Sequence, residues 1–216
     1  VLDPFCGCGT AVDAAQALGR RWAGMDVSVL AINAIRARLE DVHGTNVMTD
    51  VEVTGIPTSL EAARMLFQRD PFEFERWAVD LVGAEPNKKQ VGDSGSDGEL
   101  TFPSTDKKRA QRGVVSGKGG ANVNPAMVRD LRGTVEAMNA AMGVLVLMKS
   151  STRGMVTEAA KAGLWTDDFT DRNWPKLQII TVAELLDGRQ PDMPNPRNPY
   201  TKATHTHSDS RQEELL

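Results

Sequence analysis

The chain has 216 residues, 40% hydrophobic and 25% charged, a balance that suits one ordinary globular domain or two small ones. Its formal net charge of -4 gives no general attraction to nucleic acid, so any duplex contact requires a local basic face. The two cysteines, Cys6 and Cys8, share one turn, which excludes a disulfide framework and favours a reducing, cytoplasmic setting. No apolar run reaches membrane-spanning length, so neither a membrane partner nor a leader peptide is expected.

In chain order, Val1–Asp3 reads as a short strand running into the turn Pro4–Thr10. A buried strand is an odd place for a chain to begin, so the sequence is expected to be a piece that lacks an N-terminal part. Ala11–Leu18 has helical character and stops at Gly19. Arg21–Asp26 reads as a second strand, and Val29–Leu39 carries apolar residues at helical spacing. Strand, glycine turn, helix, strand, helix is the opening of a doubly wound α/β sheet. Residues 1–50 are taken as this first segment and 51–70 as a junction containing a short helix at Ser59–Phe67.

Order returns at Pro71. Phe72–Ala84 is expected to be helical, with Phe74, Trp77, Ala78 and Leu81 on one stripe. Glu99–Phe102 and Gly113–Gly117 read as neighbouring strands, Pro125–Met142 as a long helix and Val144–Met148 as a buried strand. Thr152–Ala162 reads as a helix, Leu177–Ile180 as a strand and Val182–Leu186 as a last helix. Residues 71–194 thus form a second α/β domain, and the proline-rich, polar stretch 195–216 a disordered tail.

The opening turn, D-P-F-C-G-C-G-T, places glycines at 7 and 9, where the backbone can approach a ligand and the following helix offers unpaired N–H groups. Asp26 ends the next strand, where a carboxylate can accept from ribose hydroxyls. Spacing alone also allows a tight turn without a ligand. Together with G-R-R-W-A-G-M-D-V-S, the stretch resembles the cofactor motif of the amino-methylating DNA methyltransferases, which act on cytosine N4 or adenine N6. That resemblance implies S-adenosyl-L-methionine, with Asp3, Phe5, Gly7, Gly9 and Thr10 at its methionine end and Asp26 on its ribose. The base-binding tetrapeptide of such enzymes is missing, since N-R-N-P-Y-T (Asn198, Pro199, Tyr200) lacks its second proline. In one permuted subclass that tetrapeptide precedes the cofactor motif, so the chain alone is not expected to methylate DNA.

The second glycine turn is G-D-S-G-S-D-G, at 92–98, followed by V-V-S-G-K-G-G. Asp97 enters one strand and Lys118 ends the next, a placement that can bring a carboxylate and an ammonium together. Such a pair suits Mg²⁺-assisted phosphodiester hydrolysis: the carboxylate holds the metal and the lysine orients water or offsets phosphorane charge. Spacing alone also fits a solvated turn beside an exposed lysine. From D-P-F-E-F-E-R-W-A-V-D-L to L-Q-I-I-T-V-A-E-L-L-D-G, the segment resembles the Mrr-type restriction endonucleases. That resemblance implies Asp97 as a metal-binding aspartate, Lys118 as the active-site lysine and Glu75 as an additional acid. Ser116 stands where those enzymes carry Glu or Gln. Glu99, two residues beyond Asp97 and therefore on the same strand face, is an alternative source of the missing ligand oxygen.

Lys107, Lys108, Arg109 and Arg112 form a cationic loop able to track a duplex backbone, and Arg129 and Arg132 share one face of the following helix. Plain solvation or ion pairing explains both groups as well. His205 and His207 lack a third ligand, and the tryptophans read as packing residues. The combined expectation is a fused restriction–modification polypeptide with an S-adenosyl-L-methionine segment and a Mg²⁺-dependent endonuclease. Its expected partners are double-stranded DNA, the remaining methyltransferase part and, as an open alternative, a second copy of the chain. The competing reading is a DNA-binding module whose nuclease site has decayed at Ser116.

Overall fold

The computed structural model describes residues 1–87, 95–105 and 110–195. The first segment pairs β1 (Leu2–Asp3) with β2 (Ala23–Gly24) in parallel, and packs α1 (Thr10–Ala17) against α2 (Val29–His43). A 3-10 helix, Thr45–Asp50, follows. Cys6, Val12, Ile35 and Leu39 form a small core, flanked by Trp22, Ile32, Val47 and Met48. Gly9 fixes how closely that core closes. Its φ is 79°, and a Cβ there would stand 2.6 Å from Ile35 Cγ1, so the turn that opens toward solvent also lets α2 seat against it.

The larger part begins with α3 (Leu60–Arg69), capped by Ser59 Oγ, which accepts from Ala62 N. Helix α4 (Pro71–Leu81) starts at once: the Asp70 carboxylate accepts from Phe72 N and Glu73 N, and Pro71 occupies the first turn, where no donor is lost. Then come β3 (Glu85–Pro86), β4 (Gly98–Phe102), β5 (Gln111–Lys118), α5 (Pro125–Ala137), β6 (Met142–Leu147) and α6 (Arg153–Ala160). A hairpin of β7 (Leu164–Thr166) and β8 (Asn173–Pro175) precedes β9 (Leu177–Thr181) and α7 (Val182–Leu186).

The main sheet is five-stranded, in the order β3-β4-β5-β6-β9. Its β3–β4 and β4–β5 pairs are antiparallel, while β5–β6 and β6–β9 are parallel. The chain is therefore α/β with a mixed sheet, and every residue of M-G-V-L-V-L in β6 is buried, as expected of a strand covered on both faces. One face holds Phe74, Trp77, Ala78, Leu100, Phe102, Val115, Val144 and Val146 under α3, α4 and α7. The other packs Val114, Leu145 and Leu147 beneath α5 and α6.

Three departures from the sequence expectations have local causes. The helix expected over Pro125–Met142 ends at Ala137, because Asn139 adopts φ 50° and turns the chain so that Met142 can open β6. The β7–β8 hairpin, pairing Trp165 with Trp174, occupies a stretch with no expected strand. Helix α3, assigned to the junction, buries Ala63 and Leu66 in the same cluster as Phe74 and Trp77. Of the expected doubly wound first sheet, the described residues contain the β1–β2 pair. This segment rests on the larger part: Asn33 Nδ2 donates to Asp80 Oδ2, and Val29 and Ile56 pack against the main core.

Gly98 is the tightest point near the β3–β4 edge, since a Cβ would meet Val79 Cγ1 at 2.3 Å and the Glu85 carbonyl at 2.8 Å. Urea unfolding should show Gly98→Ala destabilising the chain by about 2 kcal/mol through overpacking. Gly120→Ala, where nothing lies within 4 Å of the added carbon, should be neutral within about 0.5 kcal/mol.

Candidate functional site

Antiparallel pairing of β4 with β5 sets Gly98 opposite Val115, and Asp97 N donates to the Val115 carbonyl at 2.9 Å. The register thereby carries the Asp97 side chain to the end of β5. A single oxygen, Asp97 Oδ2, accepts from Ser116 Oγ at 2.9 Å, from Gly117 N at 2.8 Å and from Lys118 Nζ at 3.3 Å. The tripeptide S-G-K thus converges on one carboxylate, and Ser116 is 2% exposed. Sequence reasoning picked out Asp97, Ser116 and Lys118 but missed the Gly117 amide, because a backbone donor leaves no mark in residue identity.

Gly117 also decides how near α4 lies. A Cβ at this position would meet Ala78 Cβ at 3.3 Å and Glu75 Cα at 3.5 Å, so the strand and helix touch where both residues are small. That approach brings Glu75 into the field of the site. Burial first, and the nearby Asp97 charge second, push the Glu75 carboxyl up to about 6, with Lys118 pulling the other way. Glu99 shares the strand face of Asp97, as parity requires, yet its carboxylate pairs with Arg112 at 3.5 Å, away from Ser116.

The donor set does not fit Mg²⁺. A hard dication requires several oxygen lone pairs, whereas Asp97 Oδ2 is filled by three hydrogen-bond donors, one of them cationic, which leaves this carboxylate Oδ1 alone to offer. Glu75 holds its proton more tightly than an ordinary carboxyl, and Glu99 is engaged elsewhere. Among the described residues no three His, Cys, Asp or Glu side chains gather at metal-holding distance.

The expected DNA contacts divide three ways. Lys107, Lys108 and Arg109 lie outside the described residues, as do Tyr200, His205 and His207. Arg112 is exposed but pairs with Glu99 and donates to the Met138 carbonyl. Arg129 and Arg132 are exposed on α5. Arg132 Nε donates to Glu136 at 2.8 Å, and Glu158 is held below the usual carboxylate range, first by its Lys161 hydrogen bond and further by Arg129 and Arg132. That face is charge-compensated.

The opening turn is built as a ligand cradle would be. Asp26 Oδ2 accepts from Gly7 N and Oδ1 from Ser28 N, both at 2.9 Å, so the carboxylate ties the glycine turn to the start of α2. Each oxygen keeps lone-pair capacity for a hydroxyl donor. Asp3 Oδ1 accepts from Phe5 N at 3.2 Å, and Phe5 stands 86% exposed at the lip. Gly7 and Gly9 adopt φ of 48° and 79°. Thr10 Oγ1 accepts from Arg38 at 3.3 Å. These residues fit a cofactor such as S-adenosyl-L-methionine, which would supply a transferable methyl group when bound. Beside Asp26 opens a cleft of about 610 Å³, with Val27, Ile32, Ile56, Leu66 and Arg69 on its walls.

The mixed sheet, with a carboxylate and a lysine at the ends of paired strands, is an α/β arrangement consistent with domains of restriction–modification systems. Residues 72–187 match the family described as NACHT-associated inactive Restriction Endonuclease 1. That is more than half of the chain, and the chain belongs to this family. The type II methyltransferase M.EcaI of Enterobacter cloacae is 32% identical over 101 residues, covering 43% of this chain and 21% of that protein. The chain therefore spans about a fifth of the length of that curated relative. The solved structure of the MspJI restriction endonuclease in complex with a 27-mer oligonucleotide is 18% identical, with a TM-score of 0.40, covering 63% of this chain and 33% of that one.

The family match and the similarity to the curated methyltransferase give a distant link to restriction–modification systems, a coarser result than a fused methyltransferase and Mrr-type enzyme. They correct the expected activity. A Mg²⁺-dependent endonuclease is overturned by a family described as inactive, and the Asp97 donor set gives the physical reason.

Two substitutions test this geometry. Asp97→Ala leaves buried Ser116 Oγ and Gly117 N without their acceptor and should cost about 3 kcal/mol in urea unfolding. The Glu75 carboxyl binds its proton more tightly folded than unfolded, so its contribution is complete below the unfolded value and is lost as pH rises through about 6. Glu75→Gln should therefore stabilise the chain near pH 7.5 by about 1 kcal/mol, discounted for partial exposure. The accompanying rise in melting temperature, about 2–4 °C, should vanish near pH 4.

Proposed function

We propose that the domain spanning 71–194 is a duplex-DNA-binding module with a decayed nuclease site, joined to a segment, residues 1–50, that binds S-adenosyl-L-methionine. The observation that carries the reading is the convergence of Ser116 Oγ, Gly117 N and Lys118 Nζ on Asp97 Oδ2. Charge that a working nuclease would offer to a metal is spent inside the protein. Lys118, held by Asp97, stabilises the strand ends in place of a reacting phosphate.

Duplex DNA as the ligand is supported by membership in a family described as an inactive restriction endonuclease and by the similarity to a type II methyltransferase. With net charge -4 and α5 compensated, the phosphate contacts of this reading are assigned from the sequence to the basic run Lys107, Lys108 and Arg109. Phosphate contacts of this kind are independent of sequence and strongly salt-dependent. Cofactor binding by the first segment is supported by the Asp26–Gly7 tie, the two positive-φ glycines and the exposed Phe5.

Fluorescence anisotropy with a labelled duplex should show binding in EDTA, without any requirement for Mg²⁺, while a plasmid incubated with Mg²⁺ in parallel stays intact. Replacing Lys107, Lys108 and Arg109 by alanine should lower the slope of log K against log salt by about three. Cleavage that requires Mg²⁺ and disappears in Lys118→Ala would overturn the decayed-site reading. Failure to bind any duplex at low salt would overturn the DNA-binding one.

A further inference from the structure

The cleft beside Asp26 is bounded by both parts of the chain. One wall comes from the first segment, through Met25, Asp26, Val27, Ser28, Val29 and Ile32. The opposite wall comes from the loop Thr54–Ile56 and from Leu66, Arg69, Asp70 and Glu73 at the α3–α4 junction. We propose that this second wall is the nucleoside subsite for the cofactor, so that the adenosine half is held between the methyltransferase-like segment and the inactive nuclease module. The inference rests on the S-adenosyl-L-methionine reading and adds the residues that complete the site.

The lining specifies the ligand's chemistry. Three carboxylates, Asp26, Asp70 and Glu73, face one cation, Arg69. Asp70 is spent on the α4 N-cap and Glu73 on Arg76, at 2.5 Å. Asp26 retains acceptor capacity and is the group for a ribose diol. Arg69 is exposed and has no hydrogen-bond or ion-pair partner among the described residues, leaving its planar guanidinium free to stack on a base. Val27, Ile32, Ile56 and Leu66 supply the apolar slot that a flat heterocycle fills. An excess of negative charge repels nucleoside phosphates and favours a neutral or cationic nucleoside, which a sulfonium provides.

Asp26 joins the two halves of such a ligand. Its carboxylate accepts from Gly7 N of the opening turn while the residue also lines the cleft. The methionine end would lie over the glycine turn, and the nucleoside end would reach α3 and α4. Ile56 and Val29 pack against the main core, and Leu66 is part of it, so occupancy of the cleft bears directly on the inactive nuclease module.

The test is isothermal titration of S-adenosyl-L-methionine into the intact chain and three variants, Asp26→Ala, Arg69→Ala and Thr54→Trp, with melting curves confirming that each is folded. Thr54 is exposed at the cleft, so tryptophan there fills the slot without entering the core. The expected result is binding to the native chain, loss in Asp26→Ala, about tenfold weakening in Arg69→Ala and blockage in Thr54→Trp. Hydrogen exchange should slow at residues 54–56 and 66–73 when the cofactor is added, and AMP should not compete. Binding that needs Asp26 but ignores Arg69 and Thr54 would overturn the subsite and leave the cofactor reading standing. No saturable binding to the native chain would overturn both.

Discussion

One carboxylate oxygen organises the end of the central sheet. Asp97 Oδ2 receives a hydroxyl, a backbone amide and an ammonium from three consecutive residues of β5. In a nuclease those lone pairs would face a metal and a scissile phosphate. In this chain they satisfy a buried serine and fix the last residues of the strand, so the corner is a structural joint. Buried donors without acceptors are costly, and one atom meets the need of three.

The joint depends on how the sheet is covered. A glycine at 117 and an alanine at 78 let α4 touch β5, which brings Glu75 into partial burial near Asp97 and raises its affinity for a proton. Small residues, close packing and altered carboxyl chemistry are thus links in one chain of cause. The first segment repeats the logic at Gly9, where the absence of a side chain admits Ile35. There the same turn stays open to solvent at Gly7 and Phe5.

Much of this was legible in the residues. Apolar spacing in Phe74, Trp77 and Ala78 marked the buried stripe of α4, and the continuous apolar run at 142–147 marked a strand covered on both faces. The meeting of Asp97 with Lys118 followed from a turn and a pair of strands. Other features had no one-dimensional signature. Glu99 has the right parity, but its partner depends on Arg112 being within reach across the hairpin. The Gly117 amide and the placing of Arg69 on the same cleft as Asp26 are products of tertiary packing, as is the joining of α3, a helix legible at 59–67, to the main core. The endonuclease expectation failed at Ser116, a position whose departure was visible but whose weight depended on what surrounded it.

The contact between Gly117 and Ala78 bears on which side chains this strand end can carry. A carboxylate at 116 would place a longer side chain where the serine is almost wholly enclosed, and a branched residue at 117 would press on Ala78 and on the Glu75 backbone. The two limits are coupled: room made for either side chain parts α4 from β5, so the seam between helix and strand admits change only in concert.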